Sequence, residues 1–238
     1  MSKLRLDKYL ADMGVGTRQE VKALIRKGRV AVDGITAKAP ELKVDPDEAQ
    51  VTVDGNSISY VKMEYWMLHK PAGVVSATED RRDRTVLDLL SDAARKDLFP
   101  VGRLDKNSVG VLLITNDGEL TRKLTHPSYN KQKVYQVTLD KPLAQADMTK
   151  IAEGITLEDG EIHADEISYV SENRKEVGIE IHSGRNRIVR RIFESLGYSV
   201  QKLDRVYFAG LTKKKLKRGG WRFLSPMEVN RLKSGEYE

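Results

Sequence analysis

Gly102 to Gly118 reads GRLDKNSVGVLLITNDG, a polar turn that runs directly into an apolar stretch. Asp105, Asn107 and Ser108 are turn formers whose short polar side chains bond their own backbone. Val109 to Thr115 has the β-branched, continuously apolar content of a buried strand. The stretch therefore predicts a carboxylate, Asp105, held rigidly at the root of a buried strand, a good position for chemistry. Aspartate in a turn also commonly does no more than form it. A calcium loop would match Asp105, Asn107 and Gly110 at positions 1, 3 and 6, but Val109 at position 5 and Asn116 at position 12 exclude it.

Working outward, the 238-residue chain is long enough for one large domain or two with a real core. It has no cysteine, which excludes disulfides and thiolate metal sites, and its four histidines are scattered without ligand spacing. No structural metal is expected. The N-terminus lacks the apolar segment of a signal peptide, and no run approaches the roughly 18 apolar residues of a membrane span. The expected location is the cytoplasm. The net charge of +6 is unevenly spread: residues 1–30 hold eight Lys/Arg against three Asp/Glu, and Gly184 to Arg222 hold twelve against Glu194 and Asp204. Clusters of this kind are the electrostatic footprint of a polyanion partner, although a basic run is commonly just a solvated face.

Along the N-terminal stretch, Leu6, Leu10 and Met13 predict a helix over residues 4–13 that stops at Gly14. Thr17 and Glu20 form a capping box for a second helix, with Val21, Leu24 and Ile25 inward and Gly28 as its end. On this helix Arg18, Lys22, Arg26 and Arg29 lie within about 80° of one another and form one basic stripe. Asp33-Gly34 and Asp54-Gly55 are type I′ hairpin signals between short strands. The polar segment Asn56 to Lys62 is expected to be a linker, giving domains at 1–58 and 59–238.

Beyond it, Tyr65 to His69 is a strand entering the turn Lys70-Pro71-Ala72-Gly73. A charged loop, Glu79 to Arg84, precedes Thr85, which with Asp88 caps a helix; the loop is either a solvent-exposed connection or a finger contacting the polyanion partner. Asn116 or Asp117 caps a helix to about Thr125, and Lys133 to Leu139 alternates so that Tyr135, Val137 and Leu139 face inward. A tyrosine placed so is usually core packing with its hydroxyl at the edge. Ala144 to Glu153 is a helix, Glu158-Asp159-Gly160 a hairpin turn, and Val177 to His182 a strand leading to a helix that ends at Gly197. The tail from Ser199 to Phe223 reads as short strands alternating with lysine runs, and Ser225 to Glu228 opens a final helix with proline at its first position.

Two parts of the chain also carry resemblances. RLDKYLA with TRQEVKALIRKGRVAVDG resembles the S4 RNA-binding domain. GRLD followed by the aliphatic run ending TNDG, HKPAGVVSAT with TVLDLL, KVY, and GRNRIVRR resemble the motifs of the RsuA-like pseudouridine synthases of ribosomal RNA. Ser108 stands where that family usually has threonine. Ile188 replaces a usual glutamine, and His182-Ser183 stand where an acidic residue is common.

The resemblance implies an α/β (α+β) fold: a small S4 domain followed by a mixed, largely antiparallel synthase domain. It implies Asp105 as catalytic nucleophile, Tyr135 packing on the uracil, Arg190 as salt-bridge partner of Asp105, and Arg103 entering the RNA stack when the base is flipped out. Lys133, Arg185, Arg187 and Arg191 are further expected substrate contacts, and Arg5, Arg18, Lys22, Arg26 and Arg29 are expected to track RNA phosphates. It implies no cofactor and no metal. The expected partner is 16S ribosomal RNA in a partly assembled small subunit, bound by a monomer. A 23S-directed enzyme of the same family and a non-catalytic ribosome-assembly factor are the alternatives.

Overall fold

The computed structural model describes residues 3–90, 97–129 and 131–237. The chain forms two compact units, Met1–Met63 and Glu64–Glu238. In the first, β1 (Leu4–Arg5), α1 (Leu6–Asp12) and α2 (Arg18–Arg26) precede β2 (Val30–Val32), β3 (Ile35–Thr36), β4 (Lys43–Val44), β5 (Val51–Val53) and β6 (Asn56–Ile58). The Thr17–Glu20 capping box is formed reciprocally. Both hairpins have two central residues in the left-handed region, Asp33-Gly34 at φ 52° and 80° and Asp54-Gly55 at 51° and 81°, as type I′ geometry requires. Leu6, Tyr9, Leu10, Val21, Ile25, Val30 and Val51 form the core of this unit.

Two readings of this region are corrected. Asn56–Ile58 is not linker but the last strand of the sheet β3-β2-β5-β6. Its polar residues suit an edge strand with a solvated face, and the Tyr9 hydroxyl donates to the Ile58 carbonyl at 2.8 Å. The two compact units accordingly meet at Met63/Glu64, beyond the expected 58/59. Arg29 does not lie on the basic helix either, because α2 ends at Arg26 and Gly28 turns the chain at φ 72°.

The second unit contains β7 (Tyr65–Lys70), β8 (Phe99–Pro100), β9 (Val109–Thr115), α3 (Gly118–Thr125), β10 (Lys133–Leu139), α4 (Gln145–Glu153), β11 (Ile155–Leu157) and β12 (Gly160–Ile162). There follow β13 (Glu166–Tyr169), β14 (Glu176–Ile181), α5 (Ile188–Ser195), β15 (Val200–Phe208), β16 (Leu211–Thr212), β17 (Trp221–Phe223) and α6 (Pro226–Ser234). One sheet in the order β13-β14-β10-β15-β9-β7-β17 spans the unit, with β16 on β15 and β8 on β9. Among these pairings only β15 with β9 is parallel. The fold is therefore α+β with a mixed, largely antiparallel sheet. Leu68, Leu112, Ile114, Val137, Ile179, Ile192 and Phe193 are fully or nearly fully buried in its core.

The helix expected after Thr85 appears as a single 3-10 turn, Leu87–Leu89, with the Thr85–Asp88 cap in place. Residues 91–96, which follow it, lie outside the described residues. The tail is also corrected: Val200–Phe208 is one nine-residue strand in the middle of the sheet. Its side chains at Lys202 and Asp204 break an apolar pattern that the neighbouring strands on both sides nonetheless complete. Among the described residues, no helix is long and apolar enough to cross a membrane.

Candidate active site

All seven residues of β9 are buried, and its first turn carries Asp105. At Gly110 the backbone adopts φ 122°, and a Cβ there would stand 2.2 Å from the Arg205 carbonyl oxygen. Glycine is what lets β15 approach β9 at the root of the Asp105 turn.

The turn is clamped from beneath by Lys70. This lysine is fully buried, and its Nζ donates to the carbonyls of Pro71, Asp105, Lys106 and Ser108 at 2.9–3.1 Å. Burial pushes its ammonium down to about 8, an effect the neighbouring Asp105 partly opposes. The Ser76 hydroxyl brackets the same segment, donating to the Leu104 carbonyl at 2.9 Å and accepting from its N–H at 3.1 Å. The charged loop 79–84 folds onto the turn, with Asp83 paired to Lys106 at 2.6 Å.

Opposite this turn is α5. Its N-cap, Arg187, sits in the left-handed region at φ 48°. Arg187 Nη1 lies 3.5 Å and Arg190 Nε 3.6 Å from Asp105 Oδ2. Both separations exceed good hydrogen-bond geometry, so the two guanidinium groups hold the carboxylate by charge. Arg190 is buried and is oriented by donating from Nη1 to the Val200 carbonyl at 2.9 Å.

Asp105 opens into a cavity of about 160 Å³. That is several water volumes at roughly 30 Å³ each, on the scale of a single base. Tyr135 lines it at a register shift between β10 and β15, a device that re-aims a side chain. Lys133 lines it too and donates to the Lys131 and His182 carbonyls at 2.7 and 3.1 Å. Burial, reinforced by Arg205 and opposed by Asp165, pushes its ammonium down to about 8. Among the described lining residues are six cations, Arg103, Lys131, Lys133, Arg185, Arg187 and Arg205, and one carboxylate, Asp105. Among the described residues no group of three or more His, Cys, Asp or Glu could hold a metal.

The expected site residues divide. Asp105, Tyr135, Arg103, Lys133, Arg185 and Arg187 line one cavity, and Arg190 stands at Asp105. Arg191 points elsewhere: with Arg185 it grips Asp159 in the β11–β12 turn at 2.7–2.9 Å, and Arg191's hydrogen bonds hold that carboxyl down to about 2. Arg191 thus anchors the hairpin and does not line the cavity, and the Arg185 guanidinium bonds the same turn. Ile188, in place of the usual glutamine, is buried at the start of α5 and lines the cavity as an apolar surface. His182 is bonded through Nδ1 to Asp165 at 2.7 Å.

In the first unit, Arg5 and Arg18 both bond the wholly buried Asp7 carboxylate. Arg29 forks onto Asp54. Three of the five residues expected to track phosphate, Arg5, Arg18 and Arg29, are thus ion-paired within the unit by two carboxylates, while Lys22 and Arg26 have no ion pair among the described residues.

Lys70, Arg205 and Gly110 were not legible as functional residues. A lysine before Pro-Ala-Gly reads as an exposed turn residue, and its burial depends on carbonyls 35 to 38 positions away. Arg205 is buried, donates from Nε to the Val111 carbonyl at 2.9 Å and lies over the Phe208 ring, and among the described residues its Nη2 has no hydrogen-bond partner. No local signal separated it from the other basic residues of the tail.

Comparison with known proteins fits this geometry. The family described as RNA pseudouridylate synthase matches residues 64–195, and the S4 domain matches residues 4–49. The ribosomal large subunit pseudouridine synthase B of Bacillus subtilis (strain 168) is 36% identical over 234 residues, covering 97% of this chain and 96% of that protein. The protein of the same description from Vibrio cholerae serotype O1 is 37% identical over 238 residues, covering 96% of this chain and 74% of its own. A crystal structure described as pseudouridylate synthase superposes with a TM-score of 0.66 at 27% identity, covering 96% of this chain and 99% of that one. A carboxylate turn, a cation-lined cavity and full-length similarity thus agree that the chain is an RNA pseudouridine synthase of the RsuA-like family with an S4 domain.

Proposed function

We propose that the protein isomerises a uridine of large-subunit, 23S, ribosomal RNA in the cytoplasm, with Asp105 as the reacting carboxylate. The observation that carries this reading is the site itself, one carboxylate among six cations in a cavity the size of a base. Pseudouridine formation breaks the N1–C1′ bond, turns the uracil and joins C5 to C1′, while a proton leaves C5 and one is gained at N1. The chain's residues divide that work. Asp105 acts at C1′, at C6 or on the C2′ proton, three routes that all use its ionised form. Arg187 and Arg190 keep it paired until substrate enters. Tyr135 packs against the loosened ring and holds a proton at its hydroxyl. Arg103, exposed at the cavity, fills the stack the base leaves, offsetting an unstacking cost of a few kcal/mol.

The motif form HKPAGVVSAT with TVLDLL, together with the S4 module, resembles a small-subunit enzyme and raises the expectation of 16S RNA. The descriptions of two relatives, each matched over nearly all of this chain, as large-subunit synthases favour 23S instead. Purified enzyme incubated with unmodified 16S and 23S transcripts, with and without ribosomal proteins, tests the choice by mapping pseudouridine as reverse-transcription stops after carbodiimide treatment. Stops in 23S RNA are expected; stops in 16S RNA alone would restore the small-subunit reading.

A further inference from the structure

The lysine-rich loop between β16 and β17 is not part of the cavity, and its construction is specific. β17 runs antiparallel to β7 with Trp221 opposite Leu68, and β7 antiparallel to β9 with Lys70 opposite Gly110. The chain preceding Trp221 therefore leaves the sheet at the end that bears Lys70 and the Asp105 turn. The loop is pinned there through His69, whose N–H donates to the Gly220 carbonyl at 2.9 Å and whose carbonyl accepts from Gly219 at 2.8 Å. His69 Nδ1 is bonded to the Leu216 carbonyl at 3.0 Å. Internal turns close it, with the Leu216 N–H on the Lys213 carbonyl at 3.0 Å and the Gly220 N–H on the Lys217 carbonyl at 2.8 Å.

Charge follows the same division. At the two ends, Lys213 is paired with Asp204 and Arg222 with Glu228. Between them Lys214, Lys215, Lys217 and Arg218 are exposed while Leu216 is half-buried, and among the described residues none of these four cations meets a carboxylate. This contrasts with the first unit, where three of the arginines expected to bind RNA are ion-paired to Asp7 and Asp54. Four like charges fixed on a short ordered loop repel one another in the free protein. That repulsion is relieved when they lie on a row of phosphates, each displacing condensed counterions.

We propose that Lys214, Lys215, Lys217 and Arg218 form a second RNA contact on the catalytic unit, gripping the sugar–phosphate backbone beside the nucleotide that enters the cavity. The proposal rests on the reading of ribosomal RNA as substrate. The contact carries no sequence information and fixes register, holding the RNA so that one nucleotide faces Asp105.

The test uses the full chain with all four residues replaced, Lys214→Gln, Lys215→Gln, Lys217→Gln and Arg218→Gln, and unmodified 23S transcript as the probe. Equilibrium binding is measured across a salt series, and turnover at saturating transcript. The expected result is a log–log salt slope smaller by about 3, affinity weaker by at least about tenfold near 0.1 M salt, KM raised and kcat within about twofold of wild type. An unchanged slope and KM would overturn the contact and leave the loop a solvated face or a surface for another partner. Wild-type enzyme that modifies neither rRNA would instead refute the substrate reading, so the two failures are distinguishable.

Discussion

The turn that carries Asp105 is held by a fully buried residue, Lys70, and the energetics of that arrangement are measurable. Lys70 places a buried ammonium beneath three carbonyls of the turn and that of Pro71, and its value of about 8 in the folded chain lies below the 10.5 of an unperturbed lysine. Between those pH values the unfolded chain holds the extra proton, so stability contributed at Lys70 rises from pH 8 to 10.5. Lys70→Met should lose that slope and leave carbonyls unpaired, lowering stability by about 1–3 kcal/mol at neutral pH and turnover by about 10²-fold through a misplaced turn. Urea unfolding of both proteins at pH 7.5 and 9.5 checks this; equal slopes would contradict it. Gly110→Ala combines overpacking against Arg205 with a left-handed φ and should cost about 2–4 kcal/mol in the same assay. A loss below about 1 kcal/mol would show that the two strands can part there.

At the scale of elements, what could be read in the sequence was whatever depends on neighbours in the chain. The Asp105 turn, β9, the Thr17 and Ser225 capping boxes and both Asp-Gly hairpins are set by local hydrogen bonds and side-chain periodicity, and each stands in the structure. Pairings across the fold were not legible. Nothing local tells Arg191 to turn to Asp159 or Arg29 to Asp54, and nothing in VQKLDRVYF announces a central strand. The first unit illustrates the consequence. Asp7 is wholly buried under Arg5 and Arg18, and the Arg5 hydrogen bonds lead in holding its carboxyl down to about 2. Its folded value lies below the unfolded 3.8, so its contribution is present above pH 3.8 and lost as pH falls towards 2. Asp7→Asn should remove this acid-dependent stability, read as a loss of pH dependence in thermal unfolding of the isolated residues 1–63. For RNA, replacing Lys22 and Arg26 with glutamine should lower the salt slope by about 1.4–1.8, and Arg29→Gln should change it little. Equal effects would mean that the Arg29–Asp54 pair opens on RNA.

For the whole molecule, the division at Met63/Glu64 makes the chain an S4 domain and a synthase unit, each with its own core. A cut after residue 58, as the polar composition first indicated, would strand residues 59–63 on the wrong piece, where Tyr60 packs on Tyr9 and the Val61 N–H meets Met13 Sδ. Residues 64–238 alone should therefore fold cooperatively and bind ribosomal RNA more weakly, with a smaller salt slope. The central claim is that isomerisation depends on the charge of one carboxylate in a preformed cavity. Its most direct test is Asp105→Asn in the full chain, assayed for both binding and pseudouridine formation on ribosomal RNA. The account predicts binding within a few-fold of wild type and turnover reduced by more than about a thousandfold; a variant that retains more than about a thousandth of wild-type turnover would contradict it.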